Sequence, residues 1–195
     1  MWSPIEKTAL AEAEVEYQDK ESFTVWVKFK VVGTGDKTLD SAKVVIWTTT
    51  PWTMPSNKAV VYGADISYGL YEVIGRPEEC WANIGERFIL SDSLAEDVLG
   101  RARLDTTMFR RLCDITQDDL VKIELQHPLH GTEGGEGEWD DIRDFRSADF
   151  VTDTEGTGFV HCAPSHGMEE FELYRDLGML EEVITYNVME DGRFR

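Results

Sequence analysis

The sequence predicts a mainly β fold with peripheral helices, its short strands closing on one another into a barrel or closed sheet. Three observations predict it. Apolar and polar residues alternate with period two over one long run near the N-terminus. Several further apolar runs of strand length follow at short spacing, with Gly, Pro and Asp between them. Helical patterning is confined to two segments, around residues 94–103 and 165–178.

From Glu21, ESFTVWVKFKVV sets Phe23, Val25, Val27, Phe29 and Val31 against Thr24, Trp26, Lys28 and Lys30. Five matches to period two predict a half-buried strand. GTGDK at 33–37 then turns the chain, and KVVIWTT (43–49), AVVY (59–62), YGLYEVIG (68–75) and ERFILS (86–91) read as further strands. Ser91 or Ser93 is placed to cap a helix through LAEDVLGRAR, whose second half Gly100 weakens. The Gly- and acid-rich stretch 128–144, PLHGTEGGEGEWDDIRD, predicts an exposed loop. ADFVTDTEGTGFVHCAP at 148–164 predicts a hairpin of two strands joined around Thr154–Gly156. SHGMEEFELYRDLG then predicts a helix with Phe171, Tyr174 and Leu177 on one face and Gly178 as its stop. VITYNVM at 183–189 reads as a last strand. There is no internal repeat, and residues 1–195 are expected to form a single domain with 1–20 as a lead-in segment.

Composition narrows the function classes. With 42% apolar and 11% aromatic residues the chain is not disordered, and no run approaches the ~20 apolar residues that cross a bilayer. Residues 1–17 lack the basic-then-apolar pattern of a signal peptide and open abruptly, so the chain reads as a piece of something longer. Cys80, Cys113 and Cys162 form no C-x-x-C pair and fit free thiols in a reducing compartment. The 38 acidic residues outweigh 19 basic ones, giving a formal charge of −19 that repels phosphate backbones at long range. Any nucleic-acid contact by this chain is therefore expected to be local.

Several chemical readings fail on spacing. VVGTGDKT (31–38) lacks the adjacent Gly-Lys and the earlier Gly of a phosphate loop, so it reads as a hairpin turn. His127 with His130, and Cys162 with His166, have tolerable spacing but no second pair to complete a zinc site; satisfied surface histidines are expected, and no metal ligands. No G-x-S-x-G is present. Two segments remain. WTTTPWTMPSN, 47–57, puts four threonines and two tryptophans around two prolines where a strand ends. GTGFVHCAPSHGMEEF, 156–171, carries His161 near a strand end and Glu169 and Glu170 in a first helical turn. Structural explanations exist for both: threonine suits strands, proline suits turns, and first-turn acids gain ~0.3–1 kcal/mol from the helix dipole. The functional alternative is an imidazole and a carboxylate flanking one cleft, ready for a hydroxyl and a cation.

Together these segments closely resemble the editing domain of the isoleucyl-tRNA synthetase family, the connective polypeptide inserted in its catalytic domain. WTTTPWTMPSN is similar to that family's WTTTPWTLPxN motif, GTGFVHCAPSHGMEEF to GTGxVHxAPxHGxxD, and WSPIEKTALAEAEVEY to the stretch leading into the insertion. The related leucyl and valyl enzymes carry TTRPDT-like and TTRPET-like motifs, so Thr49-Thr50-Pro51-Trp52-Thr53 favours the isoleucyl branch. The resemblance implies a closed β-barrel core of the ile/val/leu-tRNA synthetase editing-domain type. It also implies a cytoplasmic, monomeric enzyme without a membrane contact.

The implied task is physical. A pocket for isoleucine cannot strongly reject valine, because one missing methylene is worth only about 1–3 kcal/mol, a figure whose standard illustration is the enzyme of that family. A second, smaller site can then hydrolyse the valyl product. By resemblance, Thr49, Thr50, His161 and Glu170 carry the catalysis, with Thr49 and Thr50 contacting the aminoacyl group and positioning water. His161 would meet the ribose hydroxyls of the terminal adenosine and orient the attacking water. Trp47, Thr48, Thr53 and Asn57 would line or support the substrate site. The family's ammonium-binding aspartate falls on Glu170, a departure that makes Glu169 the alternative. The implied partners are the 3′ end of mischarged tRNA for isoleucine, a valyl-adenosine moiety and the parent catalytic domain. The resemblance implies a domain without a cofactor, with ATP, magnesium and zinc belonging to the parent enzyme outside this piece. A module that binds aminoacyl-tRNA ends without cleaving them, and an acidic interaction domain, are the other classes.

Overall fold

A computed structural model describes residues 1–195. Two short strands, β1 (Trp2–Ser3) and β2 (Thr8–Ala9), pair with each other, and a 3-10 turn follows at Glu12–Glu14. The main sheet is built from β3 (Val25–Val32), β4 (Lys43–Thr48), β5 (Ala59–Tyr62), β6 (Tyr68–Val73), β7 (Arg87–Ser91), β8 (Phe109–Ile115), β9 (Glu124–Gln126), β10 (Ile142–Ser147) and β11 (Phe159–Cys162). Helices α1 (Ala95–Arg101), α2 (Gln117–Leu120), α3 (Met168–Asp176) and α4 (Leu180–Val183) lie between or after them. The spatial order is β11-β5-β10-β9-β3-β4-β7-β6-β8. The sheet is mixed: β5 runs parallel to β10 and β4 to β7, while the other pairs are antiparallel.

Alternation decides which face each residue joins. In β4, Val44 and Ile46 enter the largest core with Phe29, Val31, Leu70, Ile89 and Leu125, while Val45 turns to the opposite face under α1. In β5, Val60 and Tyr62 point into that core and Ala59 and Val61 meet Tyr174 of α3. Burial of residues like these at about 1.5–3 kcal/mol each holds the short helices, which are too short to stand alone.

The sheet curls back on itself, bringing β11 against β4 and β6. Tyr68 of β6 stacks on Phe159 of β11, centroids 4.8 Å apart, and donates its hydroxyl to the Gly158 carbonyl at 2.7 Å. A side chain at Gly158 would collide with Ser91, 2.5 Å from an added Cβ, and φ there is +79°, so glycine is required twice over. The ladder nevertheless does not close. β11 and β8 end the sheet without pairing to each other, so the sheet is a mixed nine-stranded one in which no closed barrel is detected. The polar outer strand β8, mostly exposed, leaves that edge to solvent.

Other expectations need correction. The first long strand starts at Val25, and Phe23 is 87% exposed ahead of it. Neither serine caps α1: Leu94 holds that position, and the Ser91 hydroxyl bonds Ser93 instead. The segment 148–153 is not a strand; the partner of that region is β10, which begins inside the stretch expected as loop and pairs with β5 and β9. Strands β8 and β9 were not expected. Residues 183–189 hold the end of α4 and a single bridge from Val188 to Phe194, not a strand. In α3 only Tyr174 of the expected apolar face is buried, and Leu177 is exposed, while Gly178 ends the helix with φ +71°.

Candidate active site

β4 stops at Thr48 because the chain must turn. Pro51 opens a 3-10 segment, Pro51–Ser56, and Pro55 inside it has no N–H to give. Backbone bonds close both ends of the corner, Thr53 N–H to the Thr50 carbonyl (3.1 Å) and Asn57 N–H to that of Met54 (3.0 Å). Thr48 accepts from the Thr50 N–H at 3.1 Å, which folds the strand end over. Thr48 and Thr53 are buried; Thr49 points to solvent.

β11 brings His161 to this corner from the far motif. Its imidazole is 8% exposed, with Nε2 at 2.9 Å from Thr53 Oγ1 and Nδ1 at 2.8 Å from Asn57 Nδ2. The tautomer follows from Asn57. Its amide also donates to the carbonyl of Ala59 at 2.7 Å, so the NH₂ group must face this side. His161 Nδ1 therefore accepts, Nε2–H donates to Thr53, and the Thr53 hydroxyl donates in turn to the Thr50 carbonyl at 2.8 Å. Burial, with repulsion from His127 and His166, pushes the His161 pKa down to about 4. The ring is neutral near pH 7 and both nitrogens are engaged.

A cavity of about 210 Å³ lies over this relay. Thr48, Thr50 and Thr53 line one side with Trp47, and His161, His166, Gly167 and Glu170 the other. Glu170 is the carboxylate in the wall, at the third position of α3, while Glu169 is exposed outside it. Burial raises the Glu170 pKa, and neighbouring Glu169 raises it further. The Glu170 carboxylate occupies the space where a Cβ on Gly167 would sit, so that glycine makes room for it. A larger cavity of about 510 Å³ lies on the other side of Trp47, with Trp26, Asp97, Arg101 and Glu155. The two indoles lie 6.1 Å apart, and the buried Trp47 Nε1–H has no partner.

Of the residues expected from sequence, Trp47, Thr48, Thr50, Thr53, His161 and Glu170 share the smaller cavity. Asn57 stands behind His161, and Thr49 and Glu169 fall outside. His166 and Gly167 line the cavity without having been expected to; the glycine ahead of two glutamates was the available signal. His130 is exposed as expected, whereas His127 and His161 correct the expectation of surface placement. His127 is 2% exposed, with its pKa pushed down to about 4 chiefly by burial, and no three metal-ligating side chains come together.

No protein-family model matches the chain. The isoleucine–tRNA ligase of Ruegeria pomeroyi is 74% identical across the whole chain, which spans 20% of that protein. That of Rhodopseudomonas palustris is 46% identical over 98% of the chain and 19% of its own length. The chain belongs to the isoleucine–tRNA ligase family. It spans about a fifth of the length of these curated relatives.

Solved structures show the fold of this ligase-family segment. The leucyl-tRNA synthetase domain GlLeuRS-CP1 superposes with a TM-score of 0.57 at 18% identity, covering 83% of this chain and 64% of that one. The editing domain of the P. falciparum cytosolic leucyl-tRNA synthetase also gives 0.57, at 11% identity over 88% of this chain and 73% of its own. At such identity the likeness concerns the fold. In this isoleucine–tRNA ligase segment the same fold brings a threonine corner and a buried histidine 108 residues apart into direct contact.

Proposed function

We propose that the smaller cavity hydrolyses the ester of valine mischarged onto the tRNA for isoleucine, and the corresponding valyl-adenylate as well. The observation that carries this reading is the joining of three chemistries in one cavity of about 210 Å³: hydroxyls of Thr48 and Thr50, the His161–Thr53 relay, and the Glu170 carboxylate. A space of that size suits a small branched aminoacyl group and leaves the nucleoside outside. The 510 Å³ cavity beyond Trp47, walled by two indoles, offers a platform on which a base could stack.

In this reading Glu170 anchors the ammonium and orients the ester. The hydroxyls of Thr48 and Thr50 position water and receive the developing oxyanion, with His161 holding Thr53 in register. Positioning and fixed dipoles supply the acceleration, and no covalent intermediate is required. Isoleucine is rejected by volume. The partners proposed are the tRNA 3′ end and the catalytic domain of a cytoplasmic, monomeric parent enzyme, which would bring its own ATP, magnesium and zinc. The test is single-turnover deacylation by the full-length enzyme of valyl- against isoleucyl-tRNA for isoleucine. Rapid loss of the valyl ester with the isoleucyl ester spared is expected. No hydrolysis, or equal hydrolysis of both, would overturn the reading.

A further inference from the structure

Pro51 and Pro55 give the threonine corner no backbone N–H of their own. What fixes it from behind is the acidic stretch expected to be a bare surface loop. His127, just before that loop, directs Nε2–H at the Met54 carbonyl (3.0 Å), its Nδ1 being taken by the Leu129 N–H (3.0 Å). Trp139, within the loop, donates Nε1–H to the Pro55 carbonyl at 3.0 Å. The Trp139 ring lies flat against His127, 6.1 Å away at 10°, and His127 meets Phe29 of the core edge-on.

The loop is shaped around that indole. A Cβ on Gly135 would meet the Trp139 ring at 2.5 Å. Arg143, buried, donates to the carbonyls of Glu138 and Asp141, and Lys58 pairs with Glu138 at 2.6 Å. A continuous path therefore runs from the core through His127 and Trp139 to the carbonyls of Met54 and Pro55. Thr53 and Asn57, which grip the His161 ring, flank those carbonyls in sequence.

We propose that Trp139 is a positioning residue for the editing pocket, locking the Pro51–Ser56 corner so that Thr53 and Asn57 hold His161 in register. This rests on the editing reading above. The indole itself touches neither the cavity nor the substrate proposed for it. Its removal loosens the geometry on which both rate and rejection of isoleucine depend, so selectivity changes along with speed.

The test is deacylation of valyl- and isoleucyl-tRNA by the full-length enzyme carrying Trp139→Phe, which keeps a ring and loses only the N–H. Loss of one such bond predicts a kcat on valyl-tRNA lower by about three- to tenfold with KM unchanged. The ratio of valyl to isoleucyl hydrolysis is expected to fall. Gly135→Ala, which keeps the N–H and displaces the ring, is expected to move both readouts the same way. It provides the decision should Trp139→Phe fail to fold. Wild-type rates and selectivity in the folded variants overturn the inference and leave the editing reading intact. A wild-type enzyme that does not deacylate valyl-tRNA overturns both.

Discussion

Replacing Thr53 by valine takes one hydroxyl out of the interior and keeps the branched shape of the side chain. Two hydrogen bonds disappear, the one from His161 Nε2 at 2.9 Å and the one to the Thr50 carbonyl at 2.8 Å. The carbonyl keeps the Thr53 N–H as a donor, so its loss is small. The imidazole N–H is left buried without an acceptor, which costs about 1–3 kcal/mol. Thr53→Val is therefore expected to lower stability to urea by that amount. With the ring free to turn about its remaining bond to Asn57, deacylation of valyl-tRNA should fall by roughly ten- to a hundredfold. Thr53→Ser, which retains the hydroxyl, should recover most of the rate. Urea unfolding and single-turnover deacylation of the three proteins read both quantities. A Thr53→Val enzyme with the wild-type rate would refute the relay, whatever its stability.

Gly167→Ala should displace the Glu170 carboxylate without backbone strain, because the added methyl takes its place, and should reproduce the deacylation loss of Glu170→Ala. Glu169→Ala should be close to neutral, and the reverse pattern in deacylation assays would make Glu169 the ammonium partner. His127 and His161, depressed from 6.5 to about 4, bind protons more readily when unfolded, so their contribution is complete above about pH 6.5 and is lost as pH falls towards 4. For rings this buried it amounts to about 3 kcal/mol each. Glu170, raised by burial, pulls the other way, and Asp92, held down at about 2 chiefly by Arg111, acts below that window. A urea midpoint unchanged between about pH 7 and pH 4.5 would contradict this. The isolated chain, with a formal charge of −19, should bind whole tRNA weakly and with strong salt sensitivity, and submicromolar affinity at physiological salt would contradict that.

What the sequence revealed and concealed has physical causes. The alternation of β3 and the apolar runs of β4 to β7 survive in the structure because each strand buries at least one face. FRRLCDI of β8 was invisible as a strand, since an edge strand facing solvent on most of its residues carries no apolar alternation. β9 has three residues, too few for any period. The parallel pairing of β5 with β10 joins residues some 85 positions apart, which no local signal encodes. Within the corner, four threonines look alike in sequence, and only the fold-back of Thr50 onto Thr48 turns Thr49 outward. The acidic loop was legible as a surface feature by composition. Its one tryptophan, reaching 84 residues back to Pro55, was the part that composition concealed.

A crystal structure of the full-length enzyme with a non-hydrolysable valyl-adenosine analogue tests the central claim most directly. The account predicts the valyl side chain inside the cavity between Thr50 and His161, its ammonium within hydrogen-bond distance of Glu170, and the His161–Thr53 bond intact. An analogue bound elsewhere, or an ammonium held by Glu169 with Glu170 turned away, would contradict it.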